Sequence, residues 1–220
     1  MERIKLQHPL AGINAVSTAT LRRNSSAAAE GQVAEQVLWK EKRRRECSAL
    51  AGRMQSLLEG MSGDVCVVRL GVVLEHAPGT LNPVTWVDCL VVSAFGVFAV
   101  EQYDWIGTVA RSASDDEVLV HEKPGVVSIQ TSPLRRAKPA LRHLRAVLNP
   151  YQCPVECVAV FSNSQCVLDA ALPENILQGM DLRHFMRTRL HRFCSSHSRY
   201  LDPQRIAAHL QLHSADWGEG

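Results

Sequence analysis

Two apolar runs separated by a short turn constrain this chain more than any other feature of its sequence. The stretch VDCLVVSAFGVFAVEQYDWIG places valine-rich segments on either side of Ala94 and Phe95. Such segments, bounded by turn residues, are typical of buried β-strands. We therefore predict an antiparallel hairpin made of strands 85–93 and 97–103.

The rest of the chain alternates between strand-like and helical patterns. Further strands are predicted at 65–74, 108–111, 118–122 and 155–161, and helices at 27–59, 133–148, 181–193 and 203–212. The first helix is predicted from an apolar stripe that starts at Val33 and resumes at Leu50 and Met54. Gly60 and Gly63 are predicted to end this helix. This mixture of elements predicts an α/β fold around a central mixed sheet.

The composition is that of one globular domain with peripheral extensions. The chain has 220 residues, of which 46% are hydrophobic, and its net charge is +2. No apolar run is long enough for a membrane span and the N-terminus lacks a signal-peptide core, so a cytoplasmic protein is expected. The number of cysteines, seven, is odd and several of them lie in apolar runs, which favours reduced thiols over a disulfide framework.

The predicted hairpin places two acids in an apolar setting. If Ala94 and Phe95 form a two-residue turn, residues that face each other have numbers adding to 189, and Asp88 stands opposite Glu101. A turn at Phe95 and Gly96 leaves the acids on one face as diagonal neighbours. A three-residue turn would place them on opposite faces, so the pairing depends on an even loop.

Two carboxylates held this close repel each other and require a positive partner. A Mg²⁺ or Mn²⁺ ion would suit their oxygen atoms and could activate water for phosphoryl chemistry. An arginine of the next helix, such as Arg136 or Arg142, could neutralise them instead. The residues alone leave both alternatives open.

Several motifs in order resemble those of the nuclease-related domain (NERD) family, within the restriction-endonuclease-like superfamily that has the PD-(D/E)xK signature. They are the helix start GQVAE with Glu35, the strand TWVDCLVVS with Asp88, the strand GVFAVE with Glu101, the aromatic segment QYDWIG and the helix start SPLRR. The resemblance covers about residues 31–148 and extends more loosely to 190.

The resemblance implies a restriction-endonuclease-like fold with a long N-terminal helix, a central mixed β-sheet flanked by helices and a C-terminal helical extension. The expected organisation is a lead-in at 1–26, the NERD-like domain at 27–190 and the extension at 191–220. In the family, residues matching Asp88 and Glu101 bind a metal, Mg or Mn, and the acid matching Glu35 supports them. A lysine then positions the attacking water, and here Tyr103 takes its place, while Arg136 replaces a glutamine.

The missing lysine leaves three interpretations. In the first interpretation, another cation, such as Arg136, Lys138 or Lys123, supplies the charge. The chain is then an active Mg- or Mn-dependent DNA endonuclease or exonuclease. Alternatively, a degenerate site binds metal and DNA with weak or no cleavage. In the third interpretation the chain is a structural or interaction subunit of a larger DNA-processing, mobile-element or defence assembly.

Basic residues are the candidate nucleic-acid contacts. Arg135, Arg136, Lys138 and Arg142 follow the acidic site on one predicted helix, and each phosphate contact would steepen the salt dependence of binding. A second cluster, KEKRRRE at 40–46, is interpreted either as a solvated helix face or as a phosphate-facing patch. The sequence has no glycine-rich phosphate loop, so no nucleotide cofactor is expected.

Overall fold

The computed structural model of the chain describes residues 41, 43–63, 65–79 and 83–218. The chain divides into two compact units, residues 1–41 and 42–220, and the fold below is that of the second unit. The earlier part of the predicted first helix, with Glu35, lies outside the described residues. Within the described ranges, no helix is long and apolar enough to cross a membrane.

Four helices and nine strands make up the described part of the chain. In chain order they are α1 (43–62), β1 (Val67–Glu75), β2 (Val84–Ser93), β3 (Gly96–Tyr103), β4 (Gly107–Arg111), β5 (Glu117–Lys123), β6 (Val126–Thr131), α2 (Pro133–Leu148), β7 (Val155–Phe161), β8 (Cys166–Leu168), β9 (Ile176–Gln178), α3 (Leu182–Ser196) and α4 (Pro203–Leu212).

A five-stranded mixed sheet in the order β1-β2-β3-β7-β9 forms the centre. Alternate residues of its strands belong to two separate apolar clusters, as expected of a sheet buried on both faces. Leu50, Met54 and Leu58 of α1 pack on one face together with α3. On the other face lie α2 and α4, so the sheet is covered by helices on both sides.

A second sheet, in the order β6-β5-β4-β8, lies beyond the end of β3. Its β5–β6 hairpin turns at Pro124 and Gly125, and the glycine has φ +78°, which suits the third position of a type II turn. Val109, Val118 and Val120 face a third apolar cluster that includes Tyr103 and Phe161. This cluster connects the second sheet to the end of the central hairpin.

The structure confirms the predicted α/β class, the central mixed sheet and the C-terminal helices. Helices α2 and α4 and strand β7 have the predicted bounds. All seven cysteines are free, and five of them are buried. The boundaries proposed at residues 26 and 190 remain predictions, although α4 packs on the central sheet through Ile206, Ala207 and Leu210.

Some predicted details are wrong. Gly60 lies inside α1, where an exposed glycine is tolerated at a cost of about 1 kcal/mol. Gly63 does end the helix, since it has φ +70° and its N–H donates to the Glu59 carbonyl at 3.0 Å. Strands β6, β8 and β9 were not predicted, because β6 alternates poorly and the other two have three residues each.

Candidate functional site

The turn of the β2–β3 hairpin has the predicted even length. Ala94 and Phe95 form the turn, and the paired residues run from Ser93–Gly96 to Cys89–Val100, which confirms the register that adds to 189. The pairing ends one residue before the two acids. Both are buried, with Asp88 6% and Glu101 9% exposed.

An ion pair interrupts the hairpin ladder at Asp88. The Gln102 N–H donates to Asp88 Oδ2 at 2.9 Å, and Arg43 Nη2 donates to the Gln102 carbonyl. Side chains of Asp88 and Arg43 thus satisfy the backbone groups of Gln102 that would otherwise continue the ladder. The end of β3 is therefore held to β2 and α1 through this pair.

Asp88 accepts two hydrogen bonds on each carboxylate oxygen. Arg43 binds it in a two-point contact, with Nε 3.0 Å from Oδ1 and Nη2 2.6 Å from Oδ2. Trp86 Nε1 donates to Oδ1 at 3.2 Å, and the Gln102 N–H completes the set. Burial works to lower the pKa of Arg43, but the hydrogen bonds and charge of Asp88 hold that pKa above its usual value. The guanidinium therefore stays charged and neutralises Asp88.

Glu101 has a different partner, the phenol of Tyr103. The Tyr103 hydroxyl donates to Glu101 Oε2 at 2.5 Å. The Tyr103 ring stacks on Phe161 at a centroid distance of 5.2 Å and meets Trp105 edge-on, also at 5.2 Å. Burial, with the nearby Glu101 charge, raises the pKa of Tyr103 well above its usual value. Tyr103 is thus a neutral hydrogen-bond donor and supplies no positive charge.

The arginine that neutralises Asp88 was not identified from the sequence. The sequence offers Arg136 and Arg142 as candidates, but the residue is Arg43 of the KEKRRRE cluster. Arg43 precedes the buried Cys47 by four residues and Leu50 by seven, so it extends the apolar stripe of α1. That spacing was the signal for an inward-facing arginine. Arg136 acts on Glu101 through its charge, which opposes the rise in the pKa of Glu101, and lies 6.0 Å from the Tyr103 ring centroid.

A divalent ion does not fit this arrangement while Arg43 is in place. Mg²⁺ and Mn²⁺ need carboxylate oxygens with available lone pairs, and the four donors on Asp88 use the sites that its two oxygens offer. Within the described residues, no group of three His, Cys, Asp or Glu side chains could hold a metal ion. The roles of Asp88 and Glu101 as metal ligands remain a prediction.

The four predicted nucleic-acid contacts are all exposed on α2. Lys138 Nζ lies 2.8 Å from Asp116 Oδ1, and Arg135 Nε lies 3.5 Å from Asp116 Oδ2. Arg136 and Arg142 make no ion pair with the described residues. With Arg145, α2 carries five basic residues and no acidic one, so its outer surface is positively charged.

This fold, a mixed sheet flanked by helices with the acids at the end of its central hairpin, is of the nuclease-like class. The model of the NERD family, described as a nuclease-related domain, matches residues 55–162. The chain is thus similar to NERD domains over this segment, which includes Asp88, Glu101, Tyr103 and α2 but begins after Arg43. A search of curated proteins found none that matches the chain. A search of solved structures also gave no match.

The burial of Glu101 leads to a prediction about pH. Burial raises its pKa above the ordinary 4.5, against the Tyr103 hydrogen bond and the Arg136 charge. The folded protein therefore holds this proton more tightly than the unfolded chain does, and stability is lost as the pH rises from about 4.5 through the folded pKa. We expect Glu101→Gln, whose amide oxygen can still accept from Tyr103, to reduce that loss, so that its stability relative to wild type increases with pH.

Denaturant unfolding of both proteins at a series of pH values from about 4.5 to 8 measures this effect. Glu117→Gln is the matched control, because Glu117 is exposed in β5 and its neutralisation should leave the pH profile unchanged. A constant difference between Glu101→Gln and wild type over the whole range would contradict the raised pKa.

Proposed function

We propose that this chain is a DNA-handling protein with a degenerate PD-(D/E)xK site that binds nucleic acid with weak or no nuclease activity. The observation that carries the proposal is the pairing of Asp88 with Arg43. A guanidinium here occupies the carboxylate that would hold a metal ion, while a neutral phenol occupies the position of the lysine. Both changes remove charge that cleavage of a phosphodiester would require.

The binding surface in this proposal is the outer face of α2. Arg135, Lys138 and Arg142 recur at spacings of three and four residues, which places them along one side of the helix. A nucleic-acid phosphate can replace Asp116 as the partner of Arg135 and Lys138, since that ion pair is about half exposed. Arg136 lies between this stripe and Glu101, so the surface begins beside the acidic residues.

The test is the affinity of the protein for a fluorescent DNA duplex and a single strand, measured by anisotropy between about 50 and 200 mM salt. Replacing Arg135, Lys138 and Arg142 together by glutamine should weaken binding on the order of 100-fold at low salt and reduce the salt slope by about 3. The matched control replaces Arg183, Arg187 and Arg199, which are exposed on α3 and after it. It removes the same charge on the opposite side of the central sheet, and binding should change little.

Cleavage is tested in parallel with Mn²⁺ on linear, circular and single-stranded DNA. We expect little or no cutting by the wild type, and none from Tyr103→Lys alone, because Arg43 still occupies Asp88. Strong cutting that depends on Asp88 and Glu101 would refute the degenerate site and favour an active nuclease. Equal loss of DNA binding in both triple variants would show a general charge effect and refute the α2 surface.

A structural or interaction subunit without DNA binding is the second candidate function. The exposed apolar strand β6, which ends the second sheet, favours it. No measurable affinity of the wild type for DNA at about 50 mM salt would reject the first proposal in favour of this one.

A further inference from the structure

Strand β6 forms an unpaired edge of the second sheet. The strand order is β6-β5-β4-β8, and within the described residues β6 pairs with β5 alone. Its other side therefore presents a row of backbone N–H and C=O groups. Such an edge is a template on which another strand can pair.

The side chains of β6 do not protect that edge. Its sequence, VVSIQT, contains no charged residue and no proline. Val126, Val127 and Ile129 are 51%, 50% and 64% exposed. Natural edge strands usually avoid association through charges, prolines or bulges. The bulge of this hairpin lies in β5 between His121 and Lys123, beside the turn. Among the described residues, none pairs with this edge from Val127 onward.

An apolar row crosses the outer face of this sheet and stops at the edge. Ala110 pairs with Leu119, and Leu119 pairs with Ile129, so the three side chains lie next to one another. They point away from the buried cluster, because the alternate residues Val109, Val118 and Val120 belong to that cluster. The row thus ends in Ile129, one of the most exposed apolar side chains of the described protein.

We propose that β6 pairs antiparallel with β6 of a second copy of this chain, about a two-fold axis at Ile129. The two four-stranded sheets then become one eight-stranded sheet. The apolar row of one copy meets the same row of the second copy at the axis. This proposal does not depend on DNA binding or on the state of the acidic site.

Charge also favours a second copy. Two copies of an uncharged strand can pair without placing like charges together. A partner strand with charged side chains would find no opposite charge on β6 to pair with. Glu117 pairs with Thr131, and His121 pairs with Val127. In the proposed register Thr131 faces Val127 of the partner subunit. Glu117 then shares a row with His121 of the partner subunit, roughly 14 Å or three strand spacings away, so no acid faces an acid.

The size of the contact sets the expected affinity. Only five residues of each copy, 127–131, pair in this register, so the buried area falls below the roughly 1,200 Å² of stable complexes. We expect a dimer that dissociates at about 10–100 µM.

Sedimentation velocity of the full chain between about 1 and 300 µM tests the proposal. The wild type should shift from monomer to dimer, and Ile129→Lys should stay monomeric at every concentration because the axis would bring two lysines together. Val167→Lys is the matched control, since Val167 is 57% exposed on β8 at the opposite edge of the same sheet. It should dimerise like wild type, and circular dichroism checks that each variant is folded.

A disulfide locates the axis directly. Ile129→Cys, made together with Cys194→Ser to remove the exposed cysteine, should give a covalent dimer on oxidation. Paired Cα atoms in an antiparallel ladder lie about 4.5–5.5 Å apart, within disulfide reach. Val167→Cys in the same background should stay monomeric. A monomeric wild type at the highest concentration, or a dimer that survives Ile129→Lys, would overturn the proposal.

Discussion

Replacing Arg43 by alanine should reduce the free energy of unfolding by about 3 kcal/mol, because it leaves the Asp88 carboxylate buried without its counter-ion. Asp88 is 6% exposed, so water replaces the two hydrogen bonds from the guanidinium only in part. Arg43 itself is 22% exposed, which places the expected loss at the lower end of the range for broken buried pairs. Guanidinium chloride unfolding at pH 7 measures the change.

Variants of both partners separate the ion pair from packing. Asp88→Asn in the Arg43→Ala protein removes the orphaned charge, so the double variant should be more stable than Arg43→Ala alone, with a coupling of about 2 kcal/mol in the cycle. Arg43→Lys should recover only part of the stability, because an ammonium group cannot make the two-point contact. Arg187→Ala, an exposed change on α3, is the control and should alter stability by less than about 0.5 kcal/mol. A similarly small loss in Arg43→Ala would show that the ion pair contributes nothing in solution.

Most of the fold could be predicted because the central sheet is buried on both faces. Its strands show as continuous valine-rich runs, and the even turn at Ala94 and Phe95 fixes their register. The same reasoning failed for β6, where the sequence VVSIQT has no clear inward and outward face. Its apolar residues are exposed, so the strand lacks the alternation of apolar and polar residues that burial of one face produces and that a prediction uses.

The candidate site was predictable in position but not in chemistry. The hairpin register brings Asp88 and Glu101 to the same end of the sheet, where the charge of Asp88 still contributes to raising the pKa of Glu101. Their partners depend on contacts that local spacing does not encode. Arg43 is 45 residues from Asp88 along the chain, and only the packing of α1 on the sheet brings them together.

These partners show how a tyrosine can lie beside Glu101, at the position where the resemblance to the family implies a lysine. In the family, the metal and the lysine supply the positive charge around two acids. Here Arg43 balances Asp88, and the raised pKa of Glu101 means that burial favours its neutral form. The buried carboxyl is left with a hydrogen-bond donor, Tyr103, which stacks in an apolar cluster where an ammonium group would be poorly solvated.

Gly71→Ala should have an effect comparable to the loss of Arg43, because it would displace Trp86, one of the hydrogen-bond donors to Asp88. Gly71 has φ +69°, which costs alanine about 1–2 kcal/mol. An added Cβ would lie 2.7 Å from Trp86 Cη2, so the indole would have to move away from Asp88. Losing that hydrogen bond adds to the backbone strain, and we expect a total loss of about 3 kcal/mol in unfolding free energy.

Two measurements distinguish this account from ordinary backbone strain. Denaturant unfolding gives the loss in stability, while the tryptophan emission should shift to longer wavelength as Trp86 leaves its site. Gly60→Ala is the matched control: it lies inside α1 with nothing within 4 Å of its added Cβ, and it should stabilise the protein by about 0.5–1 kcal/mol. A Gly71→Ala protein that loses stability with unchanged emission would show that Trp86 stays in place and that strain alone accounts for the effect.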